Sequence, residues 1–149
     1  MEFNHTTHGQ RVVFGTGRAV ENVVAQLSSL GLQRVVMIAG SSASGVAEEI
    51  GARAPIVARV SEVIQHVPVE LVNQAIADAT DARADVIVSI GGGSATGLAK
   101  AIALTTGLPI IAVPTTFAGS EATDVWGVTT DGRKTTGSDP RVLPAAVIY

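Results

Sequence analysis

The sequence predicts an α/β fold, a parallel sheet with helices packed on both faces. Three observations predict it. Apolar runs rich in Val, Ile and Ala recur at residues 34–39, 86–90 and 108–113, without the polar alternation of a strand open to water on one side. Such runs fit parallel strands buried on both faces. Between them lie segments whose apolar residues return every three or four positions, the period of a helix packed by one face. Strand and helix signals alternate at least four times with no hairpin dipeptide between them, the order of crossover connections.

Taken in order, residues 11–14 read as the first strand and 15–17 as a turn. Val20, Val23, Val24, Leu27 and Leu30 keep helical spacing until Gly31 stops the helix. The second strand, 34–39, ends in Gly40-Ser41-Ser42, and a short helical stretch with Val46, Ala47 and Ile50 runs to Gly51. Residues 56–60 suit a third strand. Pro68 opens a helix whose Val69, Val72, Ile76 and Ala79 share one face. After the strand 86–90 come Gly91, Gly92 and Gly93, then Ser94 as the expected N-cap of a helix of small residues. The strand 108–113 ends at Pro114. Residues 125–130 and 133–136 flank Asp131-Gly132 as a hairpin with an Asp-Gly turn. Residues 145–149 resemble a last strand with no helix, cap or polar tail after it, as expected of a truncated chain or one cut at a domain boundary.

The glycine run is the most informative segment. Glycine lets a ligand approach the backbone, so successive N–H groups can converge on one point. The helix that follows presents unpaired N–H groups and the positive end of its dipole, which together suit phosphate. The reading as a phosphate or diphosphate site stands beside a plainer one, a tight strand-to-helix connection. Two familiar patterns are excluded. A G-x-G-x-x-G run from Gly91 needs glycine where Thr96 stands, and a Walker loop needs lysine where Leu98 follows Gly97.

At 149 residues the chain suits one domain and is too short for two ordinary ones. Hydrophobic residues make up 46% and charged residues 15%, against a usual charged share of roughly 25%. A face meant for another domain or subunit accounts for part of that excess. The net charge of −3 and the scatter of the basic residues argue against a nucleic-acid surface. No apolar run approaches the roughly 18 residues that span a bilayer. The first ten residues are neither basic nor hydrophobic, so a soluble, cytoplasmic protein is expected. With no cysteine there are no disulfides, thiolate metal sites or cysteine nucleophiles.

A second segment, PTTFAGSEAT at 114–123, places three threonines and a serine past a buried strand, where hydroxyls can bond ribose, amide or phosphate oxygens. Hydroxyls in loops also cap helices or bond their own backbone. Together, IGGGSATGLAKAIA, PIIAVPTTFAGSEAT and GRKTTGSDPRVLPAAVIY resemble the iron-containing alcohol dehydrogenase family, and within it the maleylacetate reductases. The resemblance implies that residues 1–149 form a Rossmann-like, NAD(P)-binding α/β domain with a C-terminal β-hairpin extension. It implies a second, helical C-terminal domain outside this chain. It further implies that Gly91, Gly92, Gly93 and Ser94 hold the cofactor pyrophosphate, Thr115 and Thr116 line the adenosine part of the cleft, and Val128 and Lys134 lie near the ribose and nicotinamide. The reaction implied is reduction of 2-maleylacetate to 3-oxoadipate by NADH or NADPH, in the degradation of aromatic compounds, by a homodimer paired through its N-terminal strands. Gly97 stands where many alcohol dehydrogenases of the family carry aspartate, which favours the reductase branch. Gly40 or Ser41 stands where NAD-preferring members often carry aspartate, so nothing there repels a 2′-phosphate. A metal-dependent alcohol or polyol dehydrogenase and a non-catalytic nucleotide-binding module are the alternatives.

No catalytic residue is assigned, because the resemblance places metal ligands and most substrate contacts in the helical domain. His5, His8 and His66 read as surface histidines rather than metal ligands. Lys100 reads as a solvated or helix-packing lysine, and Glu121 and Asp124 as capping or solvent-facing carboxylates.

Overall fold

The computed structural model describes residues 9–149, so His5 and His8 lie outside the described residues. In chain order the elements are β1 (Arg11–Val13), α1 (Ala19–Leu30), β2 (Val35–Ala39), α2 (Ser44–Gly51), β3 (Ile56–Val60), α3 (Val69–Asp81), β4 (Val86–Gly91), α4 (Gly93–Thr106), β5 (Ile110–Pro114), β6 (Val125–Thr130), β7 (Arg133–Ser138) and β8 (Ala146–Ile148). Six strands form one parallel sheet in the order β1-β8-β5-β4-β2-β3, and β6 and β7 pair apart from it as an antiparallel hairpin. The expected α/β class and its C-terminal hairpin are both present.

Successive residues of each strand face opposite sides. Val36, Ile38, Ile87, Ile110 and Ala112 point to the layer of α3 and α4. Val35, Met37, Val86, Val88, Ile90, Ile111 and Val113 point to the layer of α1 and α2. Both faces are covered, which is why these strands read as continuous apolar runs. Gly31 and Gly107 close α1 and α4 in the left-handed conformation that glycine adopts without penalty.

One expectation is corrected here. Ser94 does not cap α4: Gly91 stays paired to Pro114 as the last residue of β4, Gly92 is the cap, and the helix begins at Gly93. The chain therefore turns on a single residue. The last connection carries the expected hairpin in place of a crossover helix. Between β5 and β8 the chain runs through the hairpin and a short 3₁₀ turn, Pro140–Val142, in which Asp139 accepts the Arg141 N–H as cap.

Candidate functional site

The strand order puts a switch between β2 and β4. These strands are neighbours, yet α2 leaves β2 toward one face and α4 leaves β4 toward the other. The diverging connections open a crevice beyond the carboxyl ends of the strands, the usual ligand position in open parallel sheets. A hollow of about 410 Å³ occupies it, lined by Gly40, Ser41 and Ser42 after β2, by residues 91–94 after β4, and by Ser61 and Thr116. A larger cleft of about 660 Å³ adjoins it, lined among others by Gly93, Ser94, His66, Trp126 and Lys134. Gly93 and Ser94 line both, so the N-terminus of α4 stands between the two.

No side chain caps that N-terminus. Its first-turn N–H groups therefore have no side-chain partner, and with the helix dipole behind them they suit an anion. Close packing leaves room only for backbone at the turn. A Cβ added at Gly92 would stand 2.8 Å from Thr116 Oγ1, and one added at Gly93 would stand 3.2 Å from Ala118 Cβ. Gly91 holds φ +148, a conformation that side chains rarely adopt.

Of the residues expected at a cofactor site, Ser41, Gly91, Gly92, Gly93, Ser94 and Thr116 meet at the smaller hollow, and Lys134 joins Gly93 and Ser94 in the larger cleft. Thr115 and Val128 line neither. The Thr115 N–H donates to the Gly91 carbonyl at 3.0 Å, and Val128 packs against the α3–α4 core.

Behind the cleft lies a polar cluster that spacing did not reveal. Lys100 is fully buried, which removes the solvated alternative of its reading and leaves the helix-packing one. Its Nζ donates to the Thr123 carbonyl (2.6 Å), Thr123 Oγ1 (3.1 Å) and the Val125 carbonyl (2.8 Å), tying α4 to the loop that leads into β6. Burial pushes the amine down to about 8, against the opposing pull of Asp124 and Glu121. Glu121 is likewise buried rather than solvent-facing. It accepts a hydrogen bond from the Tyr149 hydroxyl at 3.0 Å, and burial, followed by that bond, raises the phenol above its ordinary range. Gln10 Nε2 donates to the carbonyls of Glu121 (2.8 Å) and Pro144 (2.9 Å). The cluster joins both ends of the described chain to the loop bordering the cleft.

Sequence reasoning missed Trp126, and it read His66 as a surface histidine, which the structure leaves exposed in the lining of the larger cleft. The single tryptophan was a usable signal, because Gly137 stands opposite it in the hairpin register and leaves a seat for the ring. His66 carried none, since its place in the cleft depends on an unusual backbone turn. Among the described residues, no group of three or more His, Asp or Glu side chains could hold a metal ion. No helix among them is long and apolar enough to cross a membrane.

Comparison with known proteins agrees with this architecture. A maleylacetate reductase of Burkholderia cepacia is 47% identical over 143 residues, 93% of this chain and 40% of that protein. A crystal structure of an iron-containing alcohol dehydrogenase from Corynebacterium glutamicum superposes with a TM-score of 0.95 at 47% identity, covering 100% of this chain and 42% of that one. A sulfoacetaldehyde reductase from Bifidobacterium kashiwanohense, solved in complex with NAD+, superposes with a TM-score of 0.87 at 26% identity, covering 99% of this chain and 46% of that one. The chain thus spans about two fifths of the length of the curated relatives it matches. The family model for iron-containing alcohol dehydrogenases matches residues 9–149, and the chain belongs to that family.

Proposed function

We propose that this chain is the cofactor-holding wall of a cytoplasmic, NAD(P)H-dependent maleylacetate reductase, which converts 2-maleylacetate to 3-oxoadipate in the breakdown of aromatic compounds. One observation carries the dinucleotide part: the uncapped N-terminus of α4 stands between two hollows, at the switch point of the sheet. A dinucleotide has that layout, with a charged pyrophosphate between two ring-bearing ends. Gly91, Gly92, Gly93 and Ser94 would hold the pyrophosphate through backbone N–H groups. Ser41 and Thr116 would serve the adenosine end, and Lys134 the ribose and nicotinamide end.

When bound, the reduced nicotinamide supplies a hydride for a carbon–carbon double bond conjugated with a carbonyl. The chain's own residues bind, orient and help exclude water. The described residues hold no ligand set for the iron of the family's name. Support for the substrate is the run of relatives named maleylacetate reductase at 41–47% identity.

A helical C-terminal domain would close the cleft from above, against a loop whose Phe117 is fully exposed. Two copies would pair along β1, which among the described residues has a strand neighbour on one side only and Phe14 largely exposed beside it. Sedimentation at several concentrations checks the pairing.

Trp126, the only tryptophan, lines the larger cleft and so provides a direct test. Titration with NADH should quench Trp126 emission and sensitise nicotinamide emission, and NADPH should do the same. In the full-length polypeptide, maleylacetate should then drive NADH oxidation. Unchanged Trp126 emission at millimolar NADH would overturn the cofactor assignment, and NADH binding without turnover of maleylacetate would overturn the substrate.

A further inference from the structure

Residues 66 and 67 adopt a backbone that their side chains disfavour. His66 has φ +69 and Val67 φ +46, two consecutive residues in the left-handed region, the second of them β-branched. Valine there is an outlier, because its branched Cβ crowds the adjoining carbonyl. Such strain persists only where the surroundings over-determine it. Here they do. The Val67 side chain is buried in the α3–α4 core, packed so closely on α4 that a Cβ at Gly97 would stand 3.2 Å from it. Its carbonyl accepts the Thr129 N–H at 3.1 Å, and Pro68 bridges to Thr129. Valine thus anchors the turn, and the preceding histidine is held in the larger cleft, with Ser94 and Lys134 also in its lining.

The ring of His66 makes no hydrogen bond or ion pair within the described chain. The cleft it lines contains Lys134 and the N-terminal residues of α4, and no carboxylate among the described residues, in a protein of net charge −3. A lining of that sign in an acidic chain selects anions.

We propose that His66 is a substrate-binding residue that donates a hydrogen bond to a carboxylate of an unsaturated keto acid. This rests on the reductase reading above. The pyrophosphate has its own donors in the backbone of residues 91–94, so His66 serves the second ligand rather than the cofactor.

The test is His66→Asn in the full-length polypeptide. Asparagine tolerates the left-handed conformation, so the turn is kept while the imidazole is lost. The expected result is a KM for maleylacetate raised tenfold or more, with kcat changed less than threefold and the dissociation constant of NADH within twofold of the parent. An unchanged KM overturns the assignment. So does a parallel loss of NADH affinity, which would mark His66 as part of the cofactor site or as a support for the loop. Failure of the parent protein to oxidise NADH with maleylacetate would appear before any variant is made, and would overturn the reductase reading and this proposal with it.

Discussion

Gly92 has ordinary angles, φ −84 and ψ −160, so its lack of a side chain serves space and not conformation. An alanine Cβ there would stand 2.8 Å from Thr116 Oγ1, forcing that side chain into the hollow. Gly92→Ala should weaken NADH binding tenfold or more while changing stability by under about 1.5 kcal/mol; Trp126 emission and urea unfolding separate the two effects. Lys100 makes the opposite case, a charge whose value lies in what it holds. Lys100→Met leaves the Thr123 and Val125 carbonyls without their donor and should destabilise by about 1–3 kcal/mol at pH 7. The sign of its pH dependence follows from its depressed value of about 8 against an ordinary 10.5. Above pH 8 the folded amine has lost its proton and the unfolded one retains it, so parent stability rises with pH by up to about 1.4 kcal/mol per unit. Tyr149, raised by burial, pulls the other way only above its ordinary value of 10. Urea midpoints between pH 8 and 10 should therefore climb for the parent relative to Lys100→Met. The role of Lys100 was not legible in sequence: a lone lysine on a helix is usually solvated, and only packing against the 120–125 loop buries this one.

The helices and sheet strands were largely legible, because burial on one or two faces leaves a period of its own in the sequence. Boundaries shifted by a residue or two where a connection tightened, as at Gly91, which the ladder to Pro114 draws into β4. The hairpin was visible from Asp131-Gly132, but its length and its role were not. It runs two residues further, to Ser138, and Val128 on β6 packs against the α3–α4 core. Its strands use glycine as seats. A Cβ at Gly137 would lie 2.6 Å from the Trp126 ring, and one at Gly127 would lie 2.9 Å from Lys134 Cε. Gly137→Ala should lift the indole from its seat, shift the Trp126 emission maximum and weaken NADH binding several-fold, with a stability change under about 1.5 kcal/mol. Fluorescence spectra with and without NADH read both effects. An unshifted emission maximum would mean that the ring does not rest there.

The crevice exists because neighbouring β2 and β4 send their helices to opposite faces, a property of the whole sheet and not of either loop. That arrangement brings Ser41 and the 91–94 turn, fifty residues apart in sequence, to one hollow. The sequence carries no carboxylate at 40–42, so on the proposed reading nothing at the switch point repels a 2′-phosphate. Ser41→Asp should weaken NADPH binding tenfold or more through repulsion of the 2′-phosphate and leave NADH within threefold. Equal losses for both cofactors would place position 41 away from the ribose.

The amino-acid sequence alone was enough for the α/β class, the tight glycine turn between β4 and α4 and the family, since each is written in local pattern: burial period, glycine at a tight turn, motifs at short spacing. The sheet order, with β8 inserted between β1 and β5, the buried Lys100 cluster and the place of His66 in the cleft came only with the folded chain. They depend on contacts between residues far apart in sequence, and on a backbone strain at Val67 that nothing in its neighbours announces.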